Sequence, residues 1–146
     1  LTTPFASHTI RIMPTRFTVD HATRSLPLVR RIVEDMVECV ARWRERVREF
    51  EVVTAAATAD TVDPRAESLE RETTRLAAEV DGFVAELAAL GIEVKDYGTG
   101  LIDFPAERDG RPVYLCWRLG EPTVQYWHEL DAGFAGRQPV DPLVAA

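Results

Sequence analysis

The feature that most constrains this chain is a change of hydrophobic period near Gly91. Upstream, Leu26, Val29, Val33, Met36, Val40, Trp43, Val47 and Phe50 recur at alternating spacings of three and four residues. Leu69, Thr73, Leu76, Val80, Phe83, Leu87 and Leu90 do the same. That spacing is the seam of an amphipathic helix. Downstream the apolar period becomes two, the repeat of a half-buried strand. The switch predicts an α+β fold: a long antiparallel helical hairpin followed by a small antiparallel β-meander of three or four strands.

Local chemistry sets the expected ends. Thr18 can cap a short helical turn over Val19–Arg24, with Asp20 in its first turn. Pro27 reads as a first-turn proline, which starts the long helix at about Leu26 and runs it to about Val53. The small, polar stretch between Thr54 and Val62 is a helix–helix connection. Asp63-Pro64 then supplies an N-cap and a first-turn proline, and Gly91 a C-cap. Gly82 inside the second helix is unfavourable by about 1 kcal/mol relative to alanine, and a close helix contact would explain it. Residues 1–16 lack a pattern and read as an extended or disordered extension, with Met13 a possible true start. Residues 17–140 form the domain, 17–92 helical and 93–140 sheet, and residues 141–146 read as loose.

Strands are expected at Glu93–Tyr97, Leu101–Phe104, Val113–Leu119 and Thr123–Glu129, with a loop over Pro105–Pro112 and a glycine-containing tail over Leu130–Val140. Opposing Val113 to His128, Leu115 to Tyr126 and Trp117 to Val124 brings apolar partners together. Phe104 then opposes Val113, and Ile102 opposes Leu115. In that register Asp103, Tyr114 and Trp127 form one row on the face away from the helices, with Cys116, Arg118, Gln125 and Glu129. Cys116 and His128 fall on opposite faces, which argues against a thiol–histidine nucleophile pair.

Charge and composition narrow the function. The formal net charge of −7 argues against a general nucleic-acid binder. The charge is uneven: residues 1–50 hold nine Arg against six acids, and the rest hold eight basic residues against eighteen acids. An electrostatic fit between halves or between subunits accounts for this, and an Arg patch for an acidic partner is the sharper alternative. No apolar run approaches the ~18 residues of a membrane span. The N-terminal residues lack the apolar stretch of a signal peptide, so a cytoplasmic protein is expected. Cys39 and Cys116 are the only cysteines and read as reduced thiols.

The candidate ligand- or anion-binding residues are Asp103, Tyr114, Trp127, His128, Glu129, Asp131 and Arg137. His128, Glu129, Asp131, Arg137 and Gln138 cluster where the last strand gives way to a loop, and loops beyond strand ends commonly carry function. Gly133 and Gly136 allow the backbone to turn around an anion, with Arg137 gripping a carboxylate or phosphate. Asp103 or Asp131 would orient that arginine, and His128 would act as base or ligand. His128 and Asp131 have metal-ligand chemistry, but the HExxH spacing is absent. The competing account is structural: His128 is a core or capping histidine, and Arg137 pairs with Asp131 or Glu129 to pin the tail.

The phrases FTVDHATRSLP, GIEVKDYGTGLIDFPA, LCWRLGE and WHELDAGFAGRQPV carry a further signal. By these residues the chain resembles an uncharacterised bacterial family, domain of unknown function 2203, over about Phe17 to Val140. The resemblance implies a small α+β protein with no established activity or cofactor. The leading expectation is a non-enzymatic interaction module that self-associates through its helices. A homo-oligomer is its first partner, a further protein partner is possible, and no cofactor is expected. Trp43, Val47 and Phe50 are the segment expected to be exposed. The alternative is a small enzyme, or a small-molecule, anion- or metal-binding protein, using the last strand end and the 130–138 loop.

Overall fold

The computed structural model describes residues 16–140 apart from 59 and 62. The expectations for residues 1–15, Met13 among them, and for residues 141–146 lie outside the described residues. Two helices are followed by five strands. The helices are α1 (Val19–Ala55) and α2 (Pro64–Ala89). The strands are β1 (Glu93–Asp96), β2 (Leu101–Arg108), β3 (Arg111–Arg118), β4 (Tyr126–His128) and β5 (Gln138–Pro139). They form one antiparallel sheet in chain order. The α+β hairpin-and-meander architecture is therefore present, with five strands rather than three or four.

Thr18 caps α1 as its sequence position suggests, its hydroxyl accepting from His21 N at 3.1 Å. The helix does not begin at Pro27, however. It runs through that residue without a break. A proline here removes one helical donor and crowds the Thr23 carbonyl, a cost of about 3 kcal/mol. Ala22, Leu26, Val29 and Ile32, buried on both sides of Pro27, outweigh it. α2 starts on Asp63, which accepts from Arg65 N at 2.9 Å. It ends in a Schellman turn: Ile92 N donates to Leu87 O, Gly91 N donates to Ala88 O, and Gly91 has φ 84°. Gly82 has open space around it rather than the expected close contact.

The core lies between the proximal halves of the helices and one face of the sheet. Val33, Met36, Val40, Val80 and Leu87 meet Ile102, Phe104, Leu115, Trp117 and Trp127 there. Phe17 anchors the N-terminal end, donating from its amide to Pro105 O at 2.7 Å and meeting the Phe104 ring edge-on. Farther along the hairpin, Trp43, Val47 and Phe50 are half-buried rather than exposed as expected, Trp43 packing against the core, and Val52 is 70% exposed.

β2 and β3 are longer than their prolines suggest. They form a hairpin of eight-residue strands closed by Asp109-Gly110, both at positive φ, 52° and 77°. Pro105 is tolerated because β1 pairs with β2 only as far as Asp103. Beyond that point β2 has an open edge, and Pro105 turns its carbonyl to that edge to receive Phe17.

Two register differences follow. Phe104 opposes Leu115 and Ile102 opposes Trp117, two residues from the expected pairing, so the faces of β2 and β3 are unchanged. Across β3 and β4 the slip is one residue: Tyr114 opposes His128, Leu115 opposes Trp127 and Cys116 opposes Tyr126. One residue exchanges the faces. The cause is the connection. Glu121 folds back, its carboxylate accepting from Arg118 N at 2.6 Å and its carbonyl from Trp117 Nε1 at 2.9 Å. Val124 and Trp127 then both reach the core, three residues apart, which a straight strand cannot arrange. A large indole replaces an imidazole on the apolar face.

Candidate functional site

The face of the sheet turned away from the helices carries Asp103, Tyr114, Cys116, Tyr126 and His128. The segment 129–137, with a 3-10 turn at Phe134–Gly136, lies over it. Arg118 stacks on Phe134 at 5.0 Å, and Arg137 stacks on Tyr126 at 4.0 Å. The cover makes this second face partly dry, and polar groups beneath it need partners.

His128 reaches across β3 to Asp103. Its Nε2 lies 2.9 Å from Asp103 Oδ2, and both side chains are almost wholly buried. Its Nδ1 lies 2.7 Å from Glu129 O. A carbonyl can only accept, so Nδ1 carries a proton. If the ring is neutral, Nε2 is bare and accepts from a protonated Asp103. If the ring is charged, Nε2 donates to an ionised Asp103. In either hydrogen-bonded state one proton lies between Nε2 and Oδ2. Burial raises the Asp103 carboxyl above the usual carboxylate range, and His128 acts against that shift. Asp103 Oδ1 is buried with no N–H or O–H partner, and the Cys116 thiol is a weak donor beside the carboxylate.

Cys116 stands beside this pair. Among the described residues, Asp103, Cys116 and His128 form a group whose ligand atoms all lie within 4.8 Å of one another, and all three are buried. Burial, and then the negative charge of Asp103, pushes the Cys116 thiol up to about 12. A nucleophilic thiol needs the opposite shift and a base bonded to it. Here His128 Nε2 is engaged by Asp103, so the arrangement does not activate Cys116. A cavity of about 210 Å3 lies over Asp103 and His128, lined also by Lys95, Leu101, Leu130, Asp131, Gly133 and Phe134. Leu130, Asp131, Gly133 and Phe134 are exposed at its edge.

The candidate residues divide. Asp103, Tyr114 and His128 share the site face, with the Tyr114 and His128 rings 5.5 Å apart. Burial raises the Tyr114 hydroxyl, with Glu93 adding to it, and Lys95 stands 4.8 Å over its ring. Asp131 lines the cavity. Trp127 does not belong to the row: it packs toward the helices, with the Arg108 guanidinium 4.6 Å from its ring centre. Glu129 is engaged outside the cluster by Arg111, at 2.5 and 3.3 Å, which holds its carboxyl below the usual range. Arg137 is pinned, but by neither expected partner. Its Nη2 donates to both Glu121 carboxylate oxygens, at 2.6 and 2.9 Å, and lies 3.4 Å from Cys116 O. All three contacts use Nη2, while Nε is buried without a hydrogen-bond partner.

Cys116 is the member missed from sequence, because the expected register put it on the other face of the sheet from His128. The signal was the adjacent pair Trp127-His128: the indole is the stronger claimant for the apolar face.

Searches of curated proteins and of solved structures return no match. No helix among the described residues is long and apolar enough to cross a membrane. The family model described as "Uncharacterized conserved protein (DUF2203)" matches residues 15–140, which takes in both helices, the whole sheet and the buried Asp103–Cys116–His128 cluster. The chain belongs to that family.

Proposed function

We propose that this protein is a binding module whose ligand site is the sheet face beneath segment 129–137. One observation carries the reading: Asp103, only 1% exposed, keeps a carboxylate oxygen without an N–H or O–H partner beneath a cavity, with the weak thiol donor of Cys116 beside the carboxylate. Leaving such a group unsatisfied costs about 1–3 kcal/mol or more. The experiment is denaturant unfolding of the ligand-free protein with Asp103→Val and His128→Leu combined. Replacing a buried polar pair by apolar groups is expected to be neutral or stabilising by about 1–4 kcal/mol. A loss of more than about 2 kcal/mol, the scale of a broken buried network, makes the pair a structural element and overturns the reading.

A second reading rests on the distal hairpin. Val47 and Phe50 stand outside the core cluster, and Val52 is 70% exposed. The half-buried seam at Val47 and Phe50, with Val52 exposed on another side of α1, supports self-association through the helices. Light scattering at ~100 μM, where micromolar association is nearly complete, is expected to give a mass above that of one chain. A single-chain mass rejects it.

A further inference from the structure

We propose that Asp103, Cys116 and His128 form a three-ligand site for a thiophilic divalent cation, with zinc the first choice. This deepens the reading of the covered face as a binding site and rests on it. The donor set is one thiol, one imidazole nitrogen and one carboxylate, the mixture that zinc accepts and magnesium or calcium does not favour.

Three observations point to a metal rather than to a packed core. First, the ligand atoms already converge, within 4.8 Å of one another. Zinc bonds of about 2.0–2.3 Å place tetrahedral ligand atoms roughly 3.3–3.8 Å apart. The 2.9 Å between Nε2 and Oδ2 therefore has to open by less than an ångström. Second, His128 is oriented as metal-bound histidines are: Nδ1–H donates to the Glu129 carbonyl, which leaves Nε2 facing Asp103. Third, Asp103 belongs to this group, and its Oδ1 is buried with no N–H or O–H partner.

Three protein ligands leave a fourth position. The cavity over Asp103 and His128 supplies space for a water or a small ligand there. Entry of the cation releases the thiol proton of Cys116 and the proton between Nε2 and Oδ2, both to solvent. The metal then takes the electron pairs that held them, and no redox change is involved.

The test uses the full chain, stripped with chelator and titrated with Co2+ and then Zn2+. One equivalent of Co2+ is expected to give a thiolate-to-metal charge-transfer band with the visible bands of a tetrahedral site, and Zn2+ is expected to displace it. Cys116→Ser is expected to abolish the charge-transfer band. His128→Gln and Asp103→Asn are expected to weaken Zn2+ binding by more than about 100-fold, the upper end of what loss of a mere outer-shell partner costs. Circular dichroism checks each variant for fold, and a wild-type unfolding midpoint that rises with Zn2+ supplies a readout independent of the variants. A charge-transfer band that survives in Cys116→Ser overturns the proposal. So does wild-type protein whose spectrum and midpoint ignore both ions. If zinc fails to bind while the Asp103→Val/His128→Leu protein keeps its stability, the metal is wrong and the binding face stands. If that double variant loses its stability, the face itself is wrong.

Discussion

Trp127 pairs with Leu115 across β3 and β4 and turns its ring to the helices, which places its neighbour His128 over Asp103 on the other face. The candidate site exists because of that one-residue choice.

Side-chain truncation reads the choice directly. Trp127 is 6% exposed in the core, whereas Tyr126 is half-buried against Arg137. Trp127→Ala is expected to lower the unfolding free energy by about 3–5 kcal/mol. Tyr126→Ala is expected to cost roughly 1–2 kcal/mol, most of it lost stacking and area. Urea unfolding of both variants checks this, and the reverse order would restore the register that puts Tyr126 in the core.

Two glycines are expected to respond in opposite ways to alanine. Gly82 lies inside α2 with nothing within 4 Å of an added methyl group. Gly82→Ala should stabilise by about 1 kcal/mol. Gly100 has φ 71°, and a methyl group there would sit 2.7 Å from Val33 Cγ1 and 2.9 Å from Leu119 Cβ. Gly100→Ala should destabilise by about 2 kcal/mol or more, from left-handed strain and overpacking together. Thermal melts compare the two, and a stabilising Gly100→Ala would contradict the packing of the β1–β2 turn on α1.

Cys39 gives a pH dependence. It is buried between the helices, with Sγ 3.5 Å from Glu79 Oε2. Burial, reinforced by Glu79, pushes its thiol from an ordinary value of 9.0 up to about 11. The folded state therefore keeps a proton that the unfolded chain has released. That stabilisation is complete below about pH 9 and is lost as pH rises toward about 11, at up to about 1.4 kcal/mol per pH unit. Cys116 acts in the same direction. The unfolding free energy of the metal-free protein should fall over that window, and that of Cys39→Ala should fall less steeply. Equal slopes contradict a buried, protonated Cys39.

Much of this fold is legible in the sequence because the signals are local. The heptad seams, the Thr18 and Asp63 caps, the Gly91 stop and the Asp109-Gly110 turn each depend on a few neighbouring residues. Pro27 misleads because tertiary burial around Ala22 and Val29 overrides a local penalty. The site is less legible. Its face depends on the register of β4, and the register depends on how Glu121 folds the connection back onto Trp117 and Arg118. Asp103, Tyr114 and His128 are recognisable as polar residues in apolar strands. That Cys116 joins them, and that Arg137 answers to Glu121, are facts of non-local pairing.

The most direct test of the account is a long-range 1H–15N correlation spectrum of the imidazole rings in metal-free protein, with His128 assigned by its loss in His128→Gln. The expected result is a protonated, hydrogen-bonded His128 Nδ1 in slow exchange with solvent, held by the Glu129 carbonyl while Nε2 faces Asp103. A bare Nδ1 with a rapidly exchanging Nε2–H would place the ring outside the covered face and contradict both the register and the site built on it.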